Sequence, residues 1–179
     1  MLNENQLKEI KEHLEKAQNP LFYYDNDADG LCSFLLFRRF LGRGKGVAVR
    51  SYPDLNKQYA SKAKELKADY VFVLDKPIIS EEFAKEIKEM GVPFVWIDHH
   101  DMGNDPEKFS NEFGVYYYNP FKNNMEERSG EPVTYLAYRI TNRKEDLWIA
   151  LMGCIADHYM PDFAKEFEKE HPDLWAKNV

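Results

Sequence analysis

The chain has 179 residues, 24 Lys and Arg against 31 Asp and Glu (net −7), 44% hydrophobic and 15% aromatic residues. That is the size and composition of one globular domain with apolar surface enough to offset its ordering entropy, which excludes a disordered chain. No stretch approaches the about 20 apolar residues of a bilayer span, so no membrane partner is expected, and the charged N-terminal twenty residues lack the apolar centre of a signal peptide.

Two cysteines, Cys32 and Cys154, are too few for a disulfide scaffold and read as packed thiols of a reduced, cytoplasmic protein. The acidic balance argues mildly against a dedicated nucleic-acid binder. It does not decide the matter. From Gly30 to Pro53 the chain holds no acidic residue, and Arg38, Arg39, Arg43, Lys45 and Arg50 are all basic.

In chain order, residues 3–17 predict an amphipathic helix, with Leu7, Ile10, Leu14 and Ala17 at three- and four-residue spacing. Asn19-Pro20 ends it, and Leu21–Tyr24 predicts a strand buried on both faces. Residues 30–41 are apolar on nearly every face and predict a buried helix, followed by a Gly-rich turn and a strand at Val47–Val49. A helix over 56–67 precedes a strand at Tyr70–Leu74, and a helix over 80–90 precedes a strand at Phe94–Ile97. Val115–Tyr118 completes the strands, with the longest loop expected between Asp101 and Gly114. Three helices follow: from Ser129, as cap, to Thr141, then 145–157 and 161–176. Strands alternating with helices predict an α/β fold, a mostly parallel five-stranded sheet covered by helices on both faces. Residues 1–160 are expected to form one domain, with a C-terminal helix over 161–179.

The first, third and fourth strands end in Asp25, Asp75 and Asp98. Ligands of an open parallel sheet bind outside the carboxyl ends of its strands, so three strands deliver carboxylates to one edge. Asp25-Asn26-Asp27-Ala28-Asp29-Gly30 adds two more. Such carboxylates repel one another unless a hard divalent cation sits among them. An EF-hand needs Glu at its twelfth position, which here is Leu36, so that reading fails. Asp98-His99-His100 offers a natural division: His99 as ligand, Asp98 orienting a neighbouring imidazole, His100 reaching towards substrate. Asp157 follows the apolar run MGCIA and is poorly solvated there unless paired or metal-bound.

In this order, DNDADG at 25–30, the strand-end Asp75, Asp98-His99-His100 and GCIAD at 153–157, the chain resembles the DHH phosphoesterase superfamily over roughly residues 20 to 160. The D-x-D-A-D-G-L opening looks most like the archaeal RecJ-type exonucleases. A family II pyrophosphatase would carry His four residues before Asp27, where this chain has Tyr23. The resemblance implies two divalent metals, manganese or else magnesium, held by Asp27, Asp29, Asp75, His99 and Asp157. Asp25 joins that set at a position that is His in many members. It implies His100 at the scissile phosphate or leaving oxygen, Asp98 holding a histidine, and hydrolysis of single-stranded DNA or RNA by a hydroxide that the two metals activate. Two such ions would also return four charges to the net of −7, leaving −3.

Replication or repair proteins are the partners it implies besides nucleic acid. The family's glycine-rich second domain has no counterpart in these residues, and Asp162–Asp173 is expected to begin a linker towards one. Arg38, Arg39, Arg43 and Lys45 are the candidates for phosphate-backbone contact. Ser129 either caps its helix or marks an anion site. Two alternatives stay open: hydrolysis of small phosphoesters such as short oligonucleotides or cyclic dinucleotides, and a non-catalytic replication scaffold.

Overall fold

The computed structural model describes residues 1–101, 103–123 and 130–175. The chain runs α1 (Glu4–Lys16), β1 (Pro20–Asp25), α2 (Ala28–Leu41), β2 (Lys45–Val49), β3 (Asp54–Leu55), α3 (Ala60–Glu65), β4 (Tyr70–Leu74), β5 (Ile78–Ile79), α4 (Glu81–Glu89), β6 (Phe94–Ile97), α5 (Pro106–Phe113), β7 (Val115–Tyr118), α6 (Pro120–Asn123), α7 (Val133–Thr141), α8 (Leu147–Ala156) and α9 (Ala164–Glu170). The main sheet has the order β2-β1-β4-β6-β7, every pair parallel. All five strands therefore end on one edge, as the α/β reading expects.

Side-chain alternation along these strands builds two cores. Leu21, Tyr23, Val71, Val73, Phe94 and Trp96 face α3, α4 and α5. Phe22, Phe72, Leu74, Val95 and Ile97 face α1, α2, α7 and α8. Register sets Phe22 beside Phe72, their ring centroids 5.0 Å apart. Burial on both faces is what makes these strands continuous apolar runs. Among the described residues no helix is long and apolar enough to cross a membrane.

Several boundaries differ from those expected, each for a local reason. The stretch 101–114 contains α5, capped by Asp105, opened by Pro106 and closed by Gly114 in the left-handed region; its eight residues carry too short an apolar pattern to stand out. The helix expected over 56–67 begins as a 3-10 turn at Lys57–Tyr59, and that over 145–157 likewise at Lys144–Asp146. The last helix stops at Glu170, because the residue before Pro172 is pushed out of helical geometry. Ser129 lies outside the described residues, and α7 starts at Val133 behind Pro132. A two-stranded parallel ladder, β3 with β5, has two residues a side and leaves no pattern in the sequence.

Candidate metal and phosphoester site

The carboxyl edge of the sheet gathers the acidic residues on separate elements. Asp25 is the last residue of β1, and Asp27 caps α2, its Oδ1 accepting from the Gly30 amide at 2.9 Å. Gly30 is required there: a Cβ would lie 2.4 Å from the Asp25 carbonyl oxygen. Helix α2 thus starts in contact with the end of β1, which fixes the spacing of the D-x-D-x-D-G segment.

Asp29 is buried in the first turn of α2 and is held by another helix. Its carboxylate accepts from the Val133 amide at 2.8 Å and the Thr134 amide at 2.7 Å, while the Thr134 hydroxyl donates to the Asp29 carbonyl at 2.9 Å. Asp29 therefore caps α7 across 104 residues, doing what was expected of Ser129. Burial still pushes its pKa up, against the opposing pull of the Thr134 hydrogen bonds and His99.

Asp75 follows β4 and is almost fully buried, with φ at +58°. Only a short polar side chain or glycine adopts that left-handed geometry readily. Its amide donates to the Ile97 carbonyl at 2.9 Å. Its Oδ1 is buried and accepts no hydrogen bond among the described residues. Burial, joined by the charges of Asp29, Asp27 and Asp98, raises its pKa well above the ordinary carboxylate range.

The two histidines have different nearest partners, although His100 Nδ1 also lies 3.9 Å from Asp75 Oδ1. His99 Nε2 lies 3.2 Å from Asp75 Oδ1, 3.8 Å from Asp29 Oδ2 and 3.6 Å from Asp157 Oδ2. His100 Nδ1 donates to Asp98 Oδ1 at 2.8 Å, and the His100 amide donates to Asp98 Oδ2 at 3.1 Å. Burial pulls the His100 pKa down, but the hydrogen bond and charge of Asp98 outweigh it and the net direction is up. Asp98 is itself buried and takes a further hydrogen bond from Asn119 Nδ2 at 3.2 Å. Asp157 ends α8, whose approach depends on Gly153; a Cβ there would meet Thr134 Oγ1 at 2.4 Å and Cys32 Cβ at 2.8 Å.

Ligand atoms of Asp29, His99 and Asp157 lie within 4.8 Å of one another, as do those of Asp75, His99 and His100. Converging carboxylates and imidazoles, with one buried carboxylate oxygen left without a hydrogen bond, are the donor set of a hard or borderline divalent cation. The residues fit a metal. Asp25 and Asp27 enter neither group. Asp25 is instead paired with Lys76, whose Nζ lies 3.0 Å from Asp25 Oδ1 and 3.0 Å from the Ser51 carbonyl oxygen.

Lys76 and Asn119 escaped the sequence reading. Lys76 directly follows Asp75, and Asn119 follows the fifth strand onto the same edge, so the strand-end rule that found the aspartates reaches both. The basic residues do not converge here. Arg38 and Arg39 sit in the last turn of α2, about 15–17 Å along the helix from its start at Ala28. Arg39 Nε bonds Asp146 at 2.6 Å, and Arg43 donates to the Ala17 and Glu15 carbonyls. Lys45 opens β2 at the amino edge of the sheet. These four residues were expected to contact substrate phosphates; three belong to the far end of α2 and its turn, the fourth to the wrong end of a strand. On the flank of the site formed by α2 and α8 lies an apolar cleft of about 790 Å³, lined by Ala28, Leu31, Trp148, Met152 and Ile155 among others.

The family described as DHH family, N-terminal domain, matches residues 21–162. Solved structures that share the fold include the following three. A RecJ in complex with Mn2+ from Thermus thermophilus is 21% identical at a TM-score of 0.66, over 88% of this chain and 25% of that one. An exonuclease RecJ bound to manganese is 21% identical at 0.68, over 87% and 44%. An exopolyphosphatase-related protein from Bacteroides fragilis is 14% identical at 0.57, over 96% and 57%. The chain spans less than half the length of either RecJ. No curated protein sequence matches it.

Proposed function

The chain belongs to the DHH family, a phosphoesterase fold, and from that premise we propose that it is a metal-dependent phosphodiesterase that shortens single-stranded DNA or RNA. The observation that carries this reading is the buried Oδ1 of Asp75, without a hydrogen bond among the described residues and set 3.2 Å from His99 Nε2. A cation placed among Asp75, His99 and the neighbouring carboxylates would satisfy that oxygen and offset their mutual repulsion.

Asp29, Asp75, His99 and Asp157 would hold divalent cations, with Asp27 at the mouth of the site. Manganese is the first candidate, since both RecJ structures contain it. When bound, such ions neutralise the phosphodiester and supply a strong nucleophile at neutral pH.

The protein's own groups do the rest. Asp29, locked by two amides of α7, keeps its carboxylate orientation without a ligand present, so the site is preorganised. Asp98 takes the Nδ1 proton of His100 in a hydrogen bond, which leaves Nε2 as the working nitrogen. In the cationic state that Asp98 favours, Nε2 donates to a phosphate oxygen or hands its proton to the leaving alkoxide. Asn119 bonds both Asp98 and the His100 carbonyl, tying the acid and the imidazole to the end of β7. Nucleophilic cysteine chemistry has no place in this scheme: burial raises the Cys32 thiol to about 11 and Cys154 further still.

A second reading, hydrolysis of small phosphoesters, draws support from the fold shared with the exopolyphosphatase-related protein. The two separate in one experiment: a manganese time course on end-labelled 20-mers of single-stranded DNA and RNA, with a dinucleotide alongside and Asp75→Asn as control. Stepwise shortening of the long strands supports the exonuclease. Turnover of the dinucleotide alone supports the small-substrate enzyme. Equal activity in Asp75→Asn refutes both.

A further inference from the structure

The carboxyl edge holds one more chemically distinct group. Tyr52 lies in the turn between β2 and β3, 90% exposed. Its surroundings are not those of a loose surface side chain. The Lys76 ammonium, itself buried, donates to the carbonyl of Ser51, the residue before it, at 3.0 Å. Ser51 Oγ donates to the Asp54 carbonyl, and the Arg50 amide donates to the Tyr59 hydroxyl at 2.8 Å. One of these hydrogen bonds closes the turn on itself, and the other two tie it to Lys76, just after β4, and to the 3-10 turn before α3.

The same ammonium connects the ring to the site. Lys76 Nζ lies 5.9 Å from the centroid of the Tyr52 ring and 3.0 Å from Asp25 Oδ1. The ring centre is consequently no more than about 9 Å from the end of β1. A cation near an aromatic ring is attracted to its electron-rich face. The ring's exposure leaves the rest of its surface to solvent. The ring thus lies within about 9 Å of Asp25 Oδ1 at the rim of the candidate site, with most of its surface open to a ligand.

We propose that Tyr52 is a stacking platform for a nucleobase flanking the scissile phosphate. The inference rests on the nucleic-acid reading above and assigns it a specific contact. Stacking tolerates any base, because every base offers a π-face, so the platform would grip single strands without selecting sequence.

The test is binding of a fluorescein-labelled, hydrolysis-resistant phosphorothioate hexathymidylate, and of its abasic counterpart, at saturating manganese. Wild type, Tyr52→Ala and Tyr52→Phe are compared by anisotropy after their melting temperatures are shown to agree. The expected result is a loss of about 5- to 140-fold for Tyr52→Ala on the thymidylate strand, no change on the abasic strand, and retention by Tyr52→Phe. Equal affinity of Tyr52→Ala and wild type for the thymidylate strand overturns the proposal, as does an equal loss on both strands. Manganese-dependent hydrolysis of bis(p-nitrophenyl) phosphate is followed in parallel. Hydrolysis without strand binding sinks the platform and leaves the phosphodiesterase standing. Tyr52-dependent binding without hydrolysis of any ester does the reverse.

Discussion

Replacing Asp75 by Asn separates what this residue does for metal binding from what it costs the fold. Asn adopts the left-handed backbone of position 75 as readily as Asp, so the change removes charge and little else. Asp75 Oδ1 and Asp29 Oδ2 lie 3.2 and 3.8 Å from the same His99 Nε2, hence no more than about 7 Å from each other. Two unit charges at that separation repel by about 2 kcal/mol at an effective dielectric of 20. Without metal the wild type escapes part of this by keeping Asp75 protonated, since its pKa is raised. A carboxyl whose pKa is raised on folding stabilises the fold below its unfolded value, near 4, and that contribution is lost as pH rises through the raised value.

In EDTA, Asp75→Asn is therefore expected to match wild type near pH 4 and to melt about 4–8 °C higher at pH 8, taking about 2–4 °C per kcal/mol for a domain of this size. Manganese at about a hundred times its dissociation constant adds about 2.7 kcal/mol to wild type, and nothing comparable to the variant. Differential scanning fluorimetry at pH 4, 6 and 8, with and without manganese, reads both effects. A variant that is less stable than wild type in EDTA at pH 8, or that still gains from manganese, refutes the reasoning.

Asp98→Asn removes the hydrogen-bonding anion that favours the cationic form of His100, so the His100 pKa should fall below its wild-type value. In metal-free protein, an NMR titration of its ring protons checks the direction, and an unchanged midpoint would mean that Asp98 is not the cause. Gly30→Ala forces a Cβ to within 2.4 Å of the Asp25 carbonyl; with backbone as the obstacle, a loss of about 2–4 kcal/mol in urea unfolding is expected. Both thiols have raised pKa values, so native protein at pH 8 should take up almost no iodoacetamide in mass spectrometry, and two equivalents once unfolded.

The parallel sheet was legible because burial on both faces writes itself as continuous apolar runs, and the strand-end aspartates because topology alone puts them on one edge. Residues that work through partners distant in the chain were not. Asp29 reads as one more acidic residue of the opening motif, yet it is the cap of α7, a helix that lacks a capping side chain of its own at Pro132. Nothing in the local pattern around Val133 announces that its cap arrives from residue 29. The basic residues Arg38, Arg39, Arg43 and Lys45 stand out in the sequence by charge alone, and charge does not show that a helix started at the site by Gly30 carries its last turn away from it.

Lys76 joins these two lessons. As a lysine after a strand it reads as solvated surface, and it is among the most buried side chains of the domain. Burying an ammonium is costly unless a charge and hydrogen bonds meet it, and here Asp25 and the Ser51 carbonyl do so. Of the carboxylates crowded at this edge, Asp25 is paired with a built-in cation and Asp29 is hydrogen-bonded by two amides of a helix N-terminus. Asp75, with neither, is left with a bare oxygen facing His99. Two of the three carboxylates are met by the protein's own groups, and Asp75 Oδ1, beside His99 Nε2 at 3.2 Å, is where the proposed cation would bind.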